Sequence, residues 1–358
     1  MTGVITEVLA QLGQAVDNML LAVGKDVVPV SNLDKPLWPG TRGRAVTKRD
    51  LLRYLARVSP YLLPHMQGRP AFVTRFPHGI TGESFYQKVW DDRPPFVDTV
   101  RIWSKEHGKA RDYLLVANLA TLLWLGQLAG LELHLPMSRV TGGSDGQRLG
   151  TTFDASEAAL DRSRLNYPDF LVVDLDAYLY SGREQAGAEP ELHRRGFSRV
   201  RRVAFELRRV ADALGLAAYV KTSGRTGLHC YLPIRRRFTF DEVREMAEAI
   251  GQFLVGLHPD DVTLAWAVRE RAGKVFVDYN QNVRGKSLAA PFSPRRHPLA
   301  TVSMPVTWDE LDRIYPTDFT IRTVPDLLDE QGDPWADILS AKADLEGIFA
   351  SLPTGRGA

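Results

Sequence analysis

One cysteine, Cys230, stands among 358 residues, which excludes an internal disulfide and any cysteine-based zinc cluster and fits a reducing compartment. An excess of charge of either sign is missing too: 45 basic against 43 acidic side chains leave a formal net charge of +2. So balanced a chain does not coat nucleic acid indiscriminately, and any nucleic-acid footprint must be local. The amino terminus lacks the basic, short apolar and small-residue order of a signal peptide. The uncharged run 113–131 approaches membrane-span length, but Asn118, Thr121, Gly126, Gln127 and Gly130 interrupt it, so no membrane partner is expected. What remains is an ordinary globular composition, 44% hydrophobic and 25% charged, long enough for one large core or two subdomains.

Against that background Phe170–Tyr180, FLVVDLDAYLY, is informative. Its apolar run predicts a buried strand ending on Asp174 and Asp176, which alternation places on one face about 6.5–7 Å apart. Such a pair can share one divalent cation or bridge two, and magnesium or manganese suits all-oxygen ligands. Thr222–Pro233, TSGRTGLHCYLP, sets a glycine-bracketed turn between two strand-like runs, where backbone N–H groups approach a phosphate without Cβ interference. His229 leaves that turn with Tyr231 on its own face and Cys230 and Leu232 on the other, which leaves the cysteine either packing or reactive. Arg271–Gln281, RAGKVFVDYNQ, supplies a third carboxylate, Asp278, after an apolar run preceded by cations. Three acids and a phosphate turn suggest nucleotidyl transfer. An isolated pair of acids is equally a surface cap or a structural ion site, so a metal-dependent phosphohydrolase and a non-catalytic binder of DNA ends or gaps stay open.

Elsewhere the spacing predicts an amphipathic helix over 6–23, packed on the core or docking a partner. Thr47 is placed to cap a helix from Lys48, and Thr239 and Glu242 form a capping box for the next. Residues 197–214 carry helical spacing with an arginine face, solvated or tracking a DNA backbone, before a strand at 216–222; this gives a β–α–β pattern. The segment Trp308–Leu311 reads as a helix start and 335–350 as a final helix. Residues 91–110 read as an exposed polar loop. Segments 138–168 and 181–198 read as mobile insertions, either tolerated or contacting DNA or a partner.

The order DLD, SGRTGLH, GKVFVDYNQN and APFSPR resembles the archaeo-eukaryotic primase superfamily, and most closely the polymerase domain of the bacterial end-joining DNA ligase, over roughly residues 28–330. The resemblance implies an α/β, primase-type two-subdomain core with mixed sheets flanked by helices. An N-terminal helical extension (1–27) would precede an N-terminal subdomain (28–140), a metal and nucleotide subdomain (141–330) and a C-terminal helix and tail (331–358). It assigns 113–131 to a core helix and 91–110 to contact with a primer strand or second DNA end. It implies two Mg²⁺ or Mn²⁺ ions on Asp174, Asp176 and Asp278, and nucleotide contacts from Ser223, Gly224, Arg225, Thr226, Gly227, His229, Arg271, Gln281 and Arg295. His134 would lie near the sugar, and Arg75 would face triphosphate or template phosphate. Phe85 would stack on a template base, with Tyr86 as platform or packing. Asn32, Lys35 and Lys48 would form a 5′-phosphate pocket. Relatives commonly carry lysine where this chain has Thr74 and Thr226; Lys274 is a second cation or a surface residue. The partners implied are gapped or broken DNA and ribo- and deoxyribonucleoside triphosphates, in a cytoplasmic, nucleoid-associated bacterial setting. No Lys-x-Asp-Gly ligase motif occurs, so a stand-alone primase-polymerase working beside a separate ligase and an end-binding protein is expected.

Overall fold

The computed structural model describes residues 2–41, 44–143, 145–185 and 188–346. Helix α1 (Thr2–Gln14) seats Val8 and Leu12 in the core. The expected helix over 6–23 ends there. Met19–Val23 (β1) and Asp26–Val30 (β2) form an antiparallel hairpin instead, so the amino-terminal extension is only partly helical. Leu21, Val23, Val28 and Val30 are buried while Leu20, Ala22, Val27 and Pro29 are exposed, a period of two that a helical template also matches over so few residues. A second hairpin, β3 (Pro36–Thr41) with β4 (Arg44–Thr47), delivers Thr47 to the start of α2 (Lys48–Met66). There Thr47 and Asp50 close the expected cap reciprocally.

The first large sheet collects β5 (Pro70–Arg75), β6 (Phe85–Gln87), β7 (Asp98–Ser104), β8 (Lys109–Leu115) and β9 (Gly130–Leu135). Residues 91–110 are thus no open loop, since β7 and β8 pair along seven rungs. The uncharged run is not one helix either. Asn118 caps a short α3 (Leu119–Gln127) between β8 and β9, and no helix among the described residues is long and apolar enough to cross a membrane.

After α4 (Glu157–Asp161) come β10 (Phe170–Ala177), α5 (Arg194–Ala213), β11 (Tyr219–Thr222), β12 (Leu228–Pro233), α6 (Phe240–Leu257), β13 (Val262–Thr263), β14 (Val275–Asp278), β15 (Leu288–Ala289), β16 (Pro305–Val306) and α7 (Val324–Gln331). The second sheet runs β13-β14-β10-β12-β11-β16. Leu171, Val173, Leu175, Cys230, Leu232, Val275 and Val277 join the apolar core on the face that α5 and α6 cover. Cys230 is therefore a packing residue, and burial pushes its thiol pKa up. Five arginines of α5 are committed to ion pairs, Arg199 and Arg202 with Asp261, Arg201 with Asp312, Arg208 with Asp212 and Arg209 with Glu206.

Strand β15 crosses back to pair with β9, and Trp38 Nε1 donates to the Arg295 carbonyl, so the two sheets share one continuous core. The 138–168 segment is packed rather than loose: Leu160 and Leu165 cluster with Ile102, and Trp103 N donates to the Phe153 carbonyl. In 181–198, His193 caps α5, which starts earlier than the spacing indicated. Trp308–Leu311 is a turn, closed by Thr307 and Glu310 in the manner of a cap without a helix following. The expected final helix lies partly outside the described residues; within them, Ile338–Ser340 is a single 3₁₀ turn.

Candidate active site

Strand pairing assembles the site. Register sets Lys221, His229, Asp174 and Asp278 side by side across β11, β12, β10 and β14, with Asp176 two residues along β10 on the same face. Burial, then Asp176 and Asp278, push the Asp174 pKa well above the ordinary carboxylate range. Burial and Asp278 push Asp176 up to about 6, while burial raises Asp278 against the opposing pull of Asn280 N–H and Gln281. Three carboxylates crowded in a low-dielectric wall favour a cation between them. Asp174 Oδ1 is buried without a hydrogen-bond partner, 3.5 Å from His229 Nε2.

These all-oxygen donors and the orphaned oxygen fit magnesium or manganese. The shell is not drawn closed: among the described residues no three His, Cys, Asp or Glu side chains already converge at metal-holding geometry. Asp278 is turned to Asn280 N at 2.8 Å and Gln281 Nε2 at 2.9 Å, bonds that ligation would exchange.

The turn between β11 and β12 abuts this row. Ser223 Oγ accepts from Arg225 N at 3.2 Å and Gly227 N at 3.1 Å, so two amides face inward to Ser223 rather than out to an anion. Gly224 has φ +73°, and a Cβ there would lie 2.5 Å from Arg295 Cγ. A Cβ on Gly227 would lie 2.2 Å from the Leu175 carbonyl oxygen and 2.6 Å from Asp176 Oδ1, so only glycine lets the turn reach the metal strand. Arg225 and Thr226 line a cleft of about 400 Å³ together with Asp174, Asp176, Ser223, His229, His134 and Arg295. Arg225 lowers the Asp176 pKa against the burial that raises it, so its charge acts on the carboxylates of the cleft.

Opposite, β9 presents His134, 3.2 Å from Thr74 Oγ1 and 3.6 Å from Glu132. Glu132 accepts from Arg295 Nε at 3.1 Å and from Arg296 N at 2.8 Å. Burial pushes the Glu132 pKa up, but Arg295 and His134 outweigh it and hold the carboxyl well below its usual range. Sequence reasoning missed Glu132, although it shares a strand face with His134. It also missed Lys221, fully buried, whose Nζ lies 2.8 Å from His229 Nδ1 and 2.5 Å from Ser303 Oγ. The available signal was a lone cation on a strand two residues before the turn. Glu189, from the 181–198 segment, also lines the cleft.

Not every expected nucleotide contact lies on the cleft wall. Arg271 stacks on Phe276 with 3.5 Å from Cζ to the ring centroid, and it donates to Tyr178 Oη and to the Ala265 and Trp266 carbonyls. Gln281 lies beyond Asp278, bonded to it. Arg75 donates to Gln87 and the Leu128 carbonyl and sits 4.9 Å from the Phe85 ring centroid. Phe85 remains 46% exposed over that guanidinium; Tyr86, 45% exposed, donates to or accepts from Ser287 Oγ at 2.7 Å.

Asn32, Lys35 and Lys48 lie together at the start of α2: Lys35 N donates to the Asn32 carbonyl and Lys48 N to that of Lys35. Lys48 Nζ donates to the Ser31 carbonyl at 2.9 Å, and burial followed by Lys35 lowers its pKa. Two ammonium groups and an exposed amide beside a helix N-terminus make an anion-accepting corner.

The family model described as LigD, primase-polymerase domain, matches residues 47–335. The bifunctional non-homologous end joining protein LigD of Bacillus subtilis is 32% identical over 311 residues, 86% of this chain and 44% of that protein. The multifunctional LigD of Pseudomonas aeruginosa is 32% identical over 314 residues, 87% of this chain and 33% of that one. The chain thus spans less than half the length of these relatives. The polymerase domain of Mycobacterium tuberculosis ligase D, solved in complex with DNA, superposes with a TM-score of 0.71 at 28% identity, covering 88% of this chain and 99% of that one. The chain belongs to the LigD primase-polymerase domain family, a family of nucleotidyltransferases.

Proposed function

We propose that the chain is a template-dependent DNA/RNA primase-polymerase that extends primers and fills short gaps during DNA repair, end joining included, by two-metal nucleotidyl transfer. The observation that carries this reading is Asp174 paired across strands with Asp278, with Asp176 two residues along β10 and an orphaned Asp174 oxygen, beside a cleft that Asp174, Asp176, Arg225 and Arg295 line. Asp174, Asp176 and Asp278 would hold the divalent ions, which when bound would lower the pKa of a primer 3′-hydroxyl and neutralise charge on the triphosphate. The 3′-oxygen bonds the α-phosphorus as the bond to the bridging oxygen breaks; pyrophosphate leaves and the hydroxyl proton passes to solvent. Arg225 and Arg295 hold the polyphosphate, and Glu132 keeps Arg295 aimed from behind. Lys221 Nζ holds the His229 ring at Nδ1, 2.8 Å away, which leaves Nε2 on the Asp174 side.

Incorporation of a labelled nucleotide on a short-gap duplex, with and without manganese, tests this reading. A shifted complex without extension makes the chain a binder of ends or gaps, and a shortened strand makes it a phosphohydrolase.

Lys35 and Lys48 are expected to read a downstream 5′-phosphate, because two ammonium groups gain charge-assisted hydrogen bonds that a 5′-hydroxyl cannot offer. Phosphorylated gapped DNA should bind about tenfold tighter than its hydroxyl twin, a gap that salt closes. The Lys35→Ala, Lys48→Ala double variant should lose the difference. Equal affinities in the unmutated protein would remove the pocket.

Ribonucleotides should be used at least as well as deoxyribonucleotides. His134, bonded to Thr74, and Ser223 offer polar partners around the sugar, and a missing 2′-hydroxyl leaves them unmet at about 1–3 kcal/mol per buried group. Competition of matched nucleotides at a one-nucleotide gap measures it. His134→Ala and Ser223→Ala should each narrow the preference without abolishing extension; a clear deoxyribonucleotide preference refutes the assignment.

A further inference from the structure

The 181–198 segment contributes Glu189 and Pro190 to the wall of the active-site cleft. Its described residues are stitched down rather than loose. Just past β10, Gly273 N donates to the Tyr178 carbonyl at 2.8 Å and Tyr178 N to that of Lys274 at 2.9 Å, while Arg271 Nη1 donates to the Tyr178 hydroxyl at 2.7 Å. The Leu179 carbonyl accepts from His193 Nε2 at 2.7 Å, which brings the two ends of the segment together. Leu179 is buried there, with Leu192 packed against the same core.

The segment carries three acids, and two of them are committed. Glu184 accepts from the backbone N–H groups of Ser181 at 2.8 Å, Gly182 at 2.9 Å and Glu191 at 3.1 Å. Glu191 accepts from Ser181 Oγ at 2.6 Å. Glu189 has no hydrogen bond or ion pair among the described residues; it is exposed and lines the cleft with Asp176 and Tyr178. Burial raises the Asp176 and Tyr178 pKa values most, and the Glu189 charge adds to the rise at both. A carboxylate bonded to nothing in its own loop is free to act on what enters the cleft.

Charge decides what enters. The wall sets Asp174, Asp176 and Glu189 against Arg225 and Arg295, and Glu132 already neutralises Arg295 at 3.1 Å. Asp278, paired with Asp174 across the strands, adds a further acid. Without a divalent ion such a wall repels a polyphosphate; once the ion is present, the same carboxylates attract it. Asp174, 7% exposed and with Oδ1 lacking a partner, points independently to a cation in this cleft. Magnesium keeps several of its waters, so an exposed carboxylate acts on the ion without joining its inner ligands.

We propose that Glu189 is a specificity-determining residue that makes nucleotide entry depend on the divalent cation: it repels the free triphosphate and draws the metal-bound one. The proposal rests on the polymerase reading above for the identity of the anionic ligand, whereas the pull of Glu189 on a divalent cation does not.

Two binding measurements on the full chain at pH 7.5 decide it. In equilibrium dialysis with radiolabelled ATP, the unmutated protein should retain the nucleotide in magnesium and at least tenfold less in EDTA. Glu189→Gln should bind ATP in EDTA about tenfold tighter than the unmutated protein does, and no tighter in magnesium. Without nucleotide, Mn²⁺ binding followed by electron paramagnetic resonance should weaken about fivefold in Glu189→Gln, and salt should shrink both effects. Glu189→Asp, which keeps the charge, should resemble the unmutated protein in both. The opposite signs separate a charge acting in the cleft from damage to the fold, which weakens both affinities. A Glu189→Gln variant within twofold of the unmutated protein in either its EDTA affinity for ATP or its Mn²⁺ affinity overturns the proposal. Loss of both affinities in Glu189→Gln and Glu189→Asp alike makes the residue structural and overturns it as well. If the unmutated protein retains no ATP in either condition, the polymerase reading falls, and the Mn²⁺ measurement still decides whether Glu189 acts on a cation in the cleft.

Discussion

Asp174→Asn and Asp176→Asn are each expected to cut nucleotide incorporation by on the order of 10³-fold and, without divalent ions, to raise the melting temperature at pH 7.5. The opposite signs follow from the crowding of carboxylates on β10 and β14. Asp176 ionises near 6 in the fold against an ordinary 3.8, so the folded state holds the extra proton and stability falls as pH rises between those values. Above that window the penalty is on the order of 1–3 kcal/mol, and asparagine removes it. The melting advantage of Asp176→Asn should thus be small at pH 4 and complete above pH 6. Divalent ions should stabilise the unmutated protein at pH 7.5 and do little for either variant, while both keep their affinity for gapped DNA. A variant that melts below the unmutated protein at pH 7.5 would make the carboxylate structural.

The second large effect concerns stability alone. Asp169, fully buried one residue before β10, accepts from Arg69 at 3.1 Å, Arg139 at 2.8 Å, Arg236 at 2.9 Å and Lys342 at 2.8 Å. Burial pushes its pKa up, but Arg69 and the other three cations outweigh it and hold the carboxyl below its ordinary range. Asp169→Asn keeps the shape and leaves buried cations without their counter-charge, and removing one member of such a cluster costs about 3–5 kcal/mol. Because the native pKa is depressed, this contribution is present above the unfolded value near 3.8 and is lost as pH falls toward the folded one. Urea melts at pH 7 measure the loss; one below about 1 kcal/mol would contradict the role. Lys342 in this hub shows that residues beyond 331 belong to the packed structure.

What the chain disclosed in advance follows the range of the interactions involved. Asp174 and Asp176 on one face, and Cys230 on the opposite face from His229, follow from the pleat. The Thr47 and Thr239 caps close within three residues. Where two periods coincide over a short window, as at 19–30, local pattern did not choose, and packing of Leu21 and Val28 against the core did. Lys221 and Glu132 were invisible because their partners, His229 and Arg295, arrive only through strand pairing and the return of the chain beside β9. Arg271 shows the reverse case: its cation was legible, whereas its wrapping over Phe276 and three carbonyl or hydroxyl oxygens depends on tertiary packing. The 138–168 segment carries the polar composition of a loose loop, and a few apolar residues, Leu160 and Leu165 among them, fasten it to β7.

The most direct measurement is anomalous diffraction from crystals of the full chain soaked with manganese and a non-hydrolysable nucleoside triphosphate. The account predicts manganese peaks ligated by Asp174, Asp176 and Asp278, with the triphosphate running from them toward Arg225 and Arg295. Manganese bound elsewhere, with the three carboxylates unliganded and the triphosphate outside this cleft, would contradict it.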